Sequence, residues 1–156
     1  MNLRNDGRKR NGRLSCVGDY FIYDIIIHGC ERVISIMPRE IVFYTRSDGT
    51  SPVEDFLASL QPGHLARAMR LIDLLEQFGA SLQRPHVAAV RFKKYSGLWE
   101  LRIQFSGNAS RILYFSDHDN TFVMLHGFIK KTDALPVKEL EIAKKRKEDY
   151  LKRCCQ

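Results

Sequence analysis

The stretch from Ser96 to Phe115 limits what this chain can fold into more than any other part of the sequence. In its first half every second residue is apolar: Trp99, Leu101, Ile103 and Phe105. Polar residues alternate with them, and a period of two places the two sets on opposite faces of a sheet. A Gly-Asn turn follows, after which Arg111 opens a second strand. The pattern predicts a β-hairpin with one core face and one charged, solvent-facing side that carries Arg102 and Arg111.

Two amphipathic helices are predicted before this hairpin, after a first strand at Ile41–Thr45. Apolar residues recur at helical spacing over Pro52–Leu60 and again over His64–Phe78. Pro62-Gly63 should break the chain between them, and Gly79 is placed to end the second helix. The two helices are therefore expected to form a helical hairpin.

Strands on both sides of the β-hairpin and a last helix complete the predicted fold. A short strand is expected at Val90–Tyr95 and a long one at Thr121–Lys130, and Pro136 fits the first turn of a helix that runs to about Leu151. We predict an α+β domain with a small antiparallel-rich sheet. The helical hairpin should pack on one face of that sheet, with a C-terminal helix following it.

One domain is expected from the length of 156 residues and the 44% hydrophobic content. We place it at residues 39–153. Residues 1–38 begin with a polar, basic run that is typical of disorder, and a chain starting at Met37 would lose nothing that the fold needs. They are predicted to be an extension or sequence ahead of the true start. The alternative is an added strand or a partner-binding arm.

The net charge of +7 favours an anionic partner, nucleic acid above all. No apolar run approaches the ~20 residues of a membrane span, and no signal-peptide pattern is present, so the expected location is the cytoplasm. The four cysteines form no CxxC pair and no zinc spacing with histidine, which favours free thiols in a reducing compartment.

Candidate functional residues are basic side chains on or beside strands: Arg91, Lys93, Lys94, Arg102, Arg111, Lys130 and Lys131. Cations interleaved with aromatic residues suit RNA, because phosphates need charge and bases need stacking surfaces. The alternative for the lysines is a solvated face. Trp99 and Tyr114 are expected in the core rather than against bases. The chain has no P-loop, GxGxxG or GxSxG motif, which excludes the enzyme classes that those motifs mark.

Four segments follow one another in a recognisable order. They are Leu98-Trp99-Glu100-Leu101-Arg102, Arg111-Ile112-Leu113-Tyr114, His126-Gly127-Phe128-Ile129-Lys130-Lys131-Thr132, and Pro136 with the Glu/Ala/Lys-rich helix behind it. At this spacing the chain resembles the RelE/ParE superfamily, and within it the phage-derived HigB-type toxins, over about residues 39 to 152. The resemblance implies a RelE/ParE-like fold and a type II toxin–antitoxin toxin that cleaves mRNA, usually on the ribosome, with no metal or cofactor.

The resemblance also implies roles for single residues. In such toxins the 2′-hydroxyl of the substrate attacks the adjacent phosphate, leaving a cyclic phosphate and a 5′-hydroxyl. Arg111 matches the arginine that stabilises the transition-state charge, and Arg102 matches a phosphate-holding position. Lys130 and Lys131 match a basic pair that contacts phosphate or stabilises the leaving group. Arg91, Lys93 and Lys94 remain candidates for RNA binding.

The general base is not assigned by the resemblance. RelE itself carries a tyrosine shortly after the basic pair, whereas residues 132–137 contain none, as in HigB-type members. His126 shares a strand face with Phe128 and Lys130 and is one candidate, with a packed core histidine as the alternative. His118, in a turn at residues 117–120, is another.

A toxin of this kind implies partners. We expect an antitoxin of the helix-turn-helix type from the neighbouring gene, mRNA and the ribosome as targets, and no membrane. Two other functions stay open at this stage. ParE-like relatives inhibit DNA gyrase by binding without cleavage, and a decayed toxin would serve as a non-toxic nucleic-acid-binding or regulatory module.

Overall fold

A computed structural model describes most of the chain, over residues 14–17, 20–23, 39–117, 121–131 and 134–154. The chain divides into two units, Met1–Pro38 and Arg39–Gln156. In the first unit, strand β1 (Leu14–Val17) pairs antiparallel with β2 (Tyr20–Tyr23). Whether residues 1–38 are an extension outside the functional domain stays a prediction.

A five-stranded mixed sheet forms the centre of the second unit. Its strands are β3 (Glu40–Phe43), β4 (Val87–Ala89), β5 (Trp99–Phe105), β6 (Asn108–Ser116) and β7 (Thr121–Lys130). They stand in the order β3-β7-β6-β5-β4, with β3 parallel to β7 and every other neighbour antiparallel. The predicted α+β class and the central hairpin are confirmed.

Among the described residues, three α-helices pack on the sheet: α1 (Pro52–Ala58), α2 (Pro62–Phe78) and α3 (Val137–Cys154). The predicted break between the first two helices is confirmed, but it lies at residues 59–61 rather than at Pro62-Gly63, because Pro62 is the first residue of α2. A proline fits that position, where the missing N–H would have no helical partner. Gly79 ends α2 at a positive φ of 53°, as predicted. Within the described residues, no helix is long and apolar enough to cross a membrane.

The face of the sheet under α1 and α2 is called the hairpin face. Leu101 and Ile103 are fully buried there and belong to the same cluster as Leu71 and Leu75 of α2. The ends of the predicted apolar row differ, since Trp99 and Phe105 each keep 38% of their surface exposed. The core position predicted for Trp99 is therefore wrong, whereas the one for Tyr114, which is 3% exposed, is confirmed.

The opposite face of the sheet is called the α3 face, because α3 packs on part of it. Leu140 and Ala143 of α3 are completely buried in one cluster with Leu113, Phe115 and Leu125. The charged residues of β5 lie on this same side. It is thus not the open surface that the alternation alone predicts, since one part is covered by a helix.

A bulge in β7 fixes how α3 sits on this face. The register steps from Leu113 opposite His126 to Tyr114 opposite Met124, so that Leu125 is the extra residue. The carbonyl of Leu125 accepts a hydrogen bond of 2.9 Å from Nη1 of Arg146 on α3. This hydrogen bond connects α3 to β7 at the position of the bulge.

The strand predicted at Val90–Tyr95 is wrong. The strand in this region is β4, which ends at Ala89, and Lys93–Tyr95 form a short 3₁₀ helix. The turn buries the ring of Tyr95, whose hydroxyl lies 2.5 Å from Oε1 of Glu141 on α3. In an extended chain the Tyr95 side chain would not reach Glu141. Tertiary packing therefore overrides the local preference for a strand.

Candidate active site

Arg102 and Arg111 are direct cross-strand partners on the α3 face. Arg102 lies in the middle of β5 and Arg111 near the start of β6, and the antiparallel register pairs them. Opposite residues of an antiparallel pair have their Cβ atoms about 4.5–5.5 Å apart. Two like charges so placed repel each other, and the fold has to offset that repulsion.

Glu100 supplies the offsetting charge. Its Oε2 lies 3.2 Å from Nε of Arg111, and its Oε1 lies 3.4 Å from Nε of Arg102. The glutamate is 7% exposed, so its charge interacts through a medium that screens less than water does. One carboxylate thus bridges two guanidinium groups and leaves the cluster with one net positive charge.

Arg111 is held rigidly. It is 5% exposed, and besides the contact with Glu100 its Nη1 donates a hydrogen bond of 2.7 Å to the carbonyl of Ser110. Burial is the main effect that lowers the pKa of Arg111; Glu100 opposes it and Arg102 adds to it. An arginine keeps its charge near neutral pH even so. The site therefore contains a fixed positive charge whose geometry exists before any ligand arrives.

Arg102 is the more available of the two arginines. Its side chain is 34% exposed. Its Nε is buried and makes no hydrogen bond with any atom of the described residues, although the carboxylate of Glu100 is near. A buried donor without a partner costs about 1–3 kcal/mol. The carboxylate of Glu100 at 3.4 Å compensates part of that cost through its charge, and the exposed part of the guanidinium group is what an anion can reach.

The row that Arg102 and Arg111 form continues to both sides across the sheet. Phe128 of β7 is opposite Arg111. On the other side, Ala88 pairs with Glu100 in the β4–β5 register, and the N–H of Arg102 donates a hydrogen bond of 2.7 Å to the carbonyl of His86. We call the set His86, Arg102, Arg111 and Phe128 the cross-strand row. The sequence analysis did not single out His86.

Lys130 lies two residues beyond Phe128 on β7, opposite Ala109. The pleat gives Lys130 and Phe128 the same side of the sheet, so Lys130 belongs beside the arginine pair. Lys131 follows the last residue of β7 and is exposed. The predicted basic pair therefore lies at the end of the sheet where the β5–β6 turn is, which is also the end nearer to the two arginines.

His126 also lies on the α3 face, but α3 holds its ring. Nε2 is 2.5 Å from Oε2 of Glu139, and Nδ1 is 2.8 Å from Nη1 of Arg146. An arginine can only donate, so Nδ1 accepts, and Nε2 carries the proton toward Glu139. Burial lowers the pKa of His126, Glu139 opposes that shift and Arg146 reinforces it. In this arrangement neither ring nitrogen is available to take a proton from a substrate.

The three residues predicted to bind RNA between β4 and β5 are not beside the arginine pair. Arg91 and Lys93 are exposed in the connection that precedes the first residue of β5. Lys94 is ion-paired with Glu141 of α3, and this contact raises the pKa of Lys94. His118 lies outside the described residues.

Two residues of the site escaped the sequence analysis for different reasons. Glu100 alternates with the apolar residues of β5, so the period of two already predicts that it lies on the same face as Arg102. A carboxylate next to two basic strand residues is the sequence signal that could have identified it. His86 had no such signal. It precedes β4, and the sequence pattern favoured a strand at Val90–Tyr95 instead.

A family model described as "Phage derived protein Gp49-like (DUF891)" matches residues 55–148. The match covers more than half of the chain. It runs from α1 into α3 and includes the whole cross-strand row and Glu100. No curated protein matches the sequence. In the described part of the chain, no group of three or more His, Cys, Asp or Glu side chains is placed to hold a metal ion.

Proposed function

Since the chain belongs to the Gp49-like family of phage-derived proteins, which is a RelE/ParE-like toxin family, we propose that it is an endoribonuclease toxin. In this proposal it belongs to the HigB-type branch and cleaves mRNA on the ribosome without a metal ion. Its cognate partner is an antitoxin, expected as a helix-turn-helix protein, that neutralises it by covering the basic face or by wrapping around the toxin.

The observation that carries the proposal is the arginine pair bridged by Glu100. Attack of a ribose 2′-hydroxyl on the neighbouring phosphate builds up negative charge on the phosphoryl oxygens. Preorganised cations lower the free energy of such a transition state more than mobile ones do, because they need no reorientation during the reaction. Arg111 is held by Glu100 and by the carbonyl of Ser110, and so meets this requirement.

The two arginines divide the work in this proposal. Arg102 keeps 34% of its side-chain surface exposed, so it contacts the phosphate directly. Arg111 is buried and stabilises the phosphate through its fixed positive charge. Lys130 and Lys131, at the end of β7, neutralise the flanking phosphates or the leaving 5′-oxygen. Arg91 and Lys93 would extend the contact along the RNA backbone.

The test is expression of the full chain without an antitoxin, followed by mapping of mRNA 5′ ends by primer extension. New ends should appear as growth stops. Arg111→Lys should lower cleavage about 10²-fold or more, because a lysine keeps the charge but not the planar fork that Glu100 orients. Arg70→Lys, an exposed residue of α2, is the matched control and should cleave like the wild type.

Two outcomes would contradict the proposal. Growth arrest with intact mRNA would point to a gyrase inhibitor, which a supercoiling assay with purified gyrase would identify. Unchanged growth in the presence of soluble, folded protein would point to a non-toxic nucleic-acid-binding module.

A further inference from the structure

We propose that His86 is the general base of this site and takes the proton from the attacking 2′-hydroxyl of the RNA. The assignment rests on the proposed nuclease function and adds the component that the arginine pair does not supply. It concerns a residue ahead of β4 that neither the sequence pattern nor the family resemblance brought forward.

The strand register carries the first part of the argument. Val87 pairs with Leu101 and Ala88 with Glu100, so the next position back along β4 is His86 opposite Arg102. The hydrogen bond from the N–H of Arg102 to the carbonyl of His86 continues the ladder to this point. Val87 is in the hairpin-face cluster. Its neighbour His86, one step along the pleat, therefore belongs to the α3 face with Arg102.

The spacing of a sheet then sets the distances. Neighbouring strands lie about 4.8 Å apart, so His86 is one strand spacing from Arg102 and two from Arg111. A phosphate held by Arg102 beside the fixed charge of Arg111 would have its adjoining ribose within reach of a side chain on the next strand. A base has to lie within about 2.6–3.2 Å of the hydroxyl oxygen in the reacting complex. β4 is the edge strand of the sheet, so His86 is the last member of the cross-strand row on the β4 side of the arginine pair.

Comparison with the other histidines supports the choice. His64 is 5% exposed, bonds the hydroxyl of Ser110 at 2.9 Å and lies on the hairpin face. Both ring nitrogens of His126 are engaged by α3. His28 and His118 lie outside the described residues. His86 is half-buried, and its ring forms no hydrogen bond or ion pair within the described ranges. A ring nitrogen without a hydrogen-bond partner is available to accept a proton from a substrate.

The proposed step balances without a further reactant. The unprotonated ring nitrogen of His86 takes the proton of the 2′-hydroxyl as the bond between the 2′-oxygen and phosphorus forms. The bond from phosphorus to the 5′-oxygen breaks, and that oxygen leaves after taking a proton from water. The products are a 2′,3′-cyclic phosphate and a 5′-hydroxyl, and the imidazolium then returns its proton to solvent. Arg102 holds the phosphoryl oxygens throughout, and the fixed charge of Arg111 stabilises them.

The test is a single-turnover cleavage assay with the toxin in excess. The substrate is a 5′-labelled mRNA that contains a cleavage site mapped in cells and is bound to 70S ribosomes. His86→Gln should lower the rate about 10²- to 10⁴-fold while leaving RNA affinity within about threefold, because a general base contributes to the chemical step. Gln83→Ala, an exposed neighbour in the same turn, is the control and should retain the wild-type rate. Circular dichroism and thermal melting check that both variants fold.

A second substrate separates a base from an acid. An RNA with sulfur in place of the leaving 5′-oxygen needs no proton on the leaving group. His86→Gln should stay as slow on it, relative to the wild type, as on normal RNA. Recovery of the rate with the sulfur substrate would make His86 an acid and overturn the assignment.

The remaining outcomes also decide. If the wild type and His86→Gln cleave the RNA equally fast, the assignment of His86 as the base is overturned, whereas the proposed nuclease function stands. A wild-type protein that leaves the RNA intact overturns the proposed nuclease function, and the assignment with it.

Discussion

Glu100 and Arg111 form an ion pair of 3.2 Å in which the two side chains keep only 10% and 6% of their surface exposed. A carboxylate inside a site that should bind phosphate would repel its own ligand if it stood alone. Here it lies between two arginines, and the cluster remains positive. The arrangement gives Arg111 a fixed position at the expense of some of its charge, and it makes the site's stability depend on Glu100.

Replacing Glu100 by glutamine should destabilise the fold. The change removes the one negative charge between two guanidinium groups, and breaking a buried pair from one side costs about 3 kcal/mol. Urea unfolding measures the loss. Glu76→Gln, an exposed residue of α2, is the control and should change the free energy of unfolding by less than about 0.5 kcal/mol. Adding Arg111→Met to Glu100→Gln should recover part of the loss, because the uncompensated buried charge is then removed as well.

Arg146 should matter more to stability than its neighbours on α3. Arg146→Ala leaves the Leu125 carbonyl at the bulge and Nδ1 of His126 without their donor, which should cost about 1–3 kcal/mol. Lys145→Ala removes an exposed cation from the same helix and should be nearly neutral. Equal melting temperatures for the two variants would show that water replaces Arg146 at no cost.

His126 should make stability depend on pH. Burial lowers its pKa in the folded state, so the unfolded chain takes up the proton first as pH falls. The resulting stabilisation is fully present above the unfolded value of about 6.5 and is lost as pH falls from there toward the lower folded value. His126→Gln removes this contribution. Between pH 7.5 and 5.5, the free energy of unfolding should therefore fall more steeply for the wild type than for the variant, and parallel curves would contradict the assignment.

Gly127 allows α1 to approach β7. A Cβ at this position would lie 2.1 Å from Cδ1 of Phe56, so Gly127→Ala should overpack the contact and destabilise the protein by about 1–3 kcal/mol. Phe56→Leu in the same chain removes the ring and should restore most of the loss. A stabilised Gly127→Ala protein would mean that the Phe56 ring turns away freely.

Local patterns predict the elements of this fold well where burial follows a simple period. The alternation around Leu101 and Ile103, and the glycine after α2, identify the β-hairpin and the helix end because each depends on neighbouring residues alone. The parallel pairing of β3 with β7 depends on residues far apart in the chain, so no local pattern indicates it. The burial of Tyr95 against Glu141 on α3 turned an expected strand into a 3₁₀ helix for the same reason.

The site divides in a similar way. The strand pattern predicts that the two arginines lie on neighbouring strands of the β-hairpin, whereas the contacts that hold the ring of His126 involve Arg146 and Glu139, which come later in the chain. His126 looked like a base because the sequence shows its strand face but not the helix that covers it. His86 was missed because a turn residue has no periodicity of its own.

The parallel pair of β3 and β7 also affects how the protein is made. Within the described residues β7 is the strand that pairs with β3, and Glu40 lies opposite Thr121, so β3 cannot join the sheet before β7 has been synthesised. Long-range pairings of this kind slow folding, because the intervening chain must be closed into a loop first. A nascent chain that stops before residue 121 lacks β7 and the helix that covers its neighbours. Folding of the domain is therefore completed only after β7 has left the ribosome.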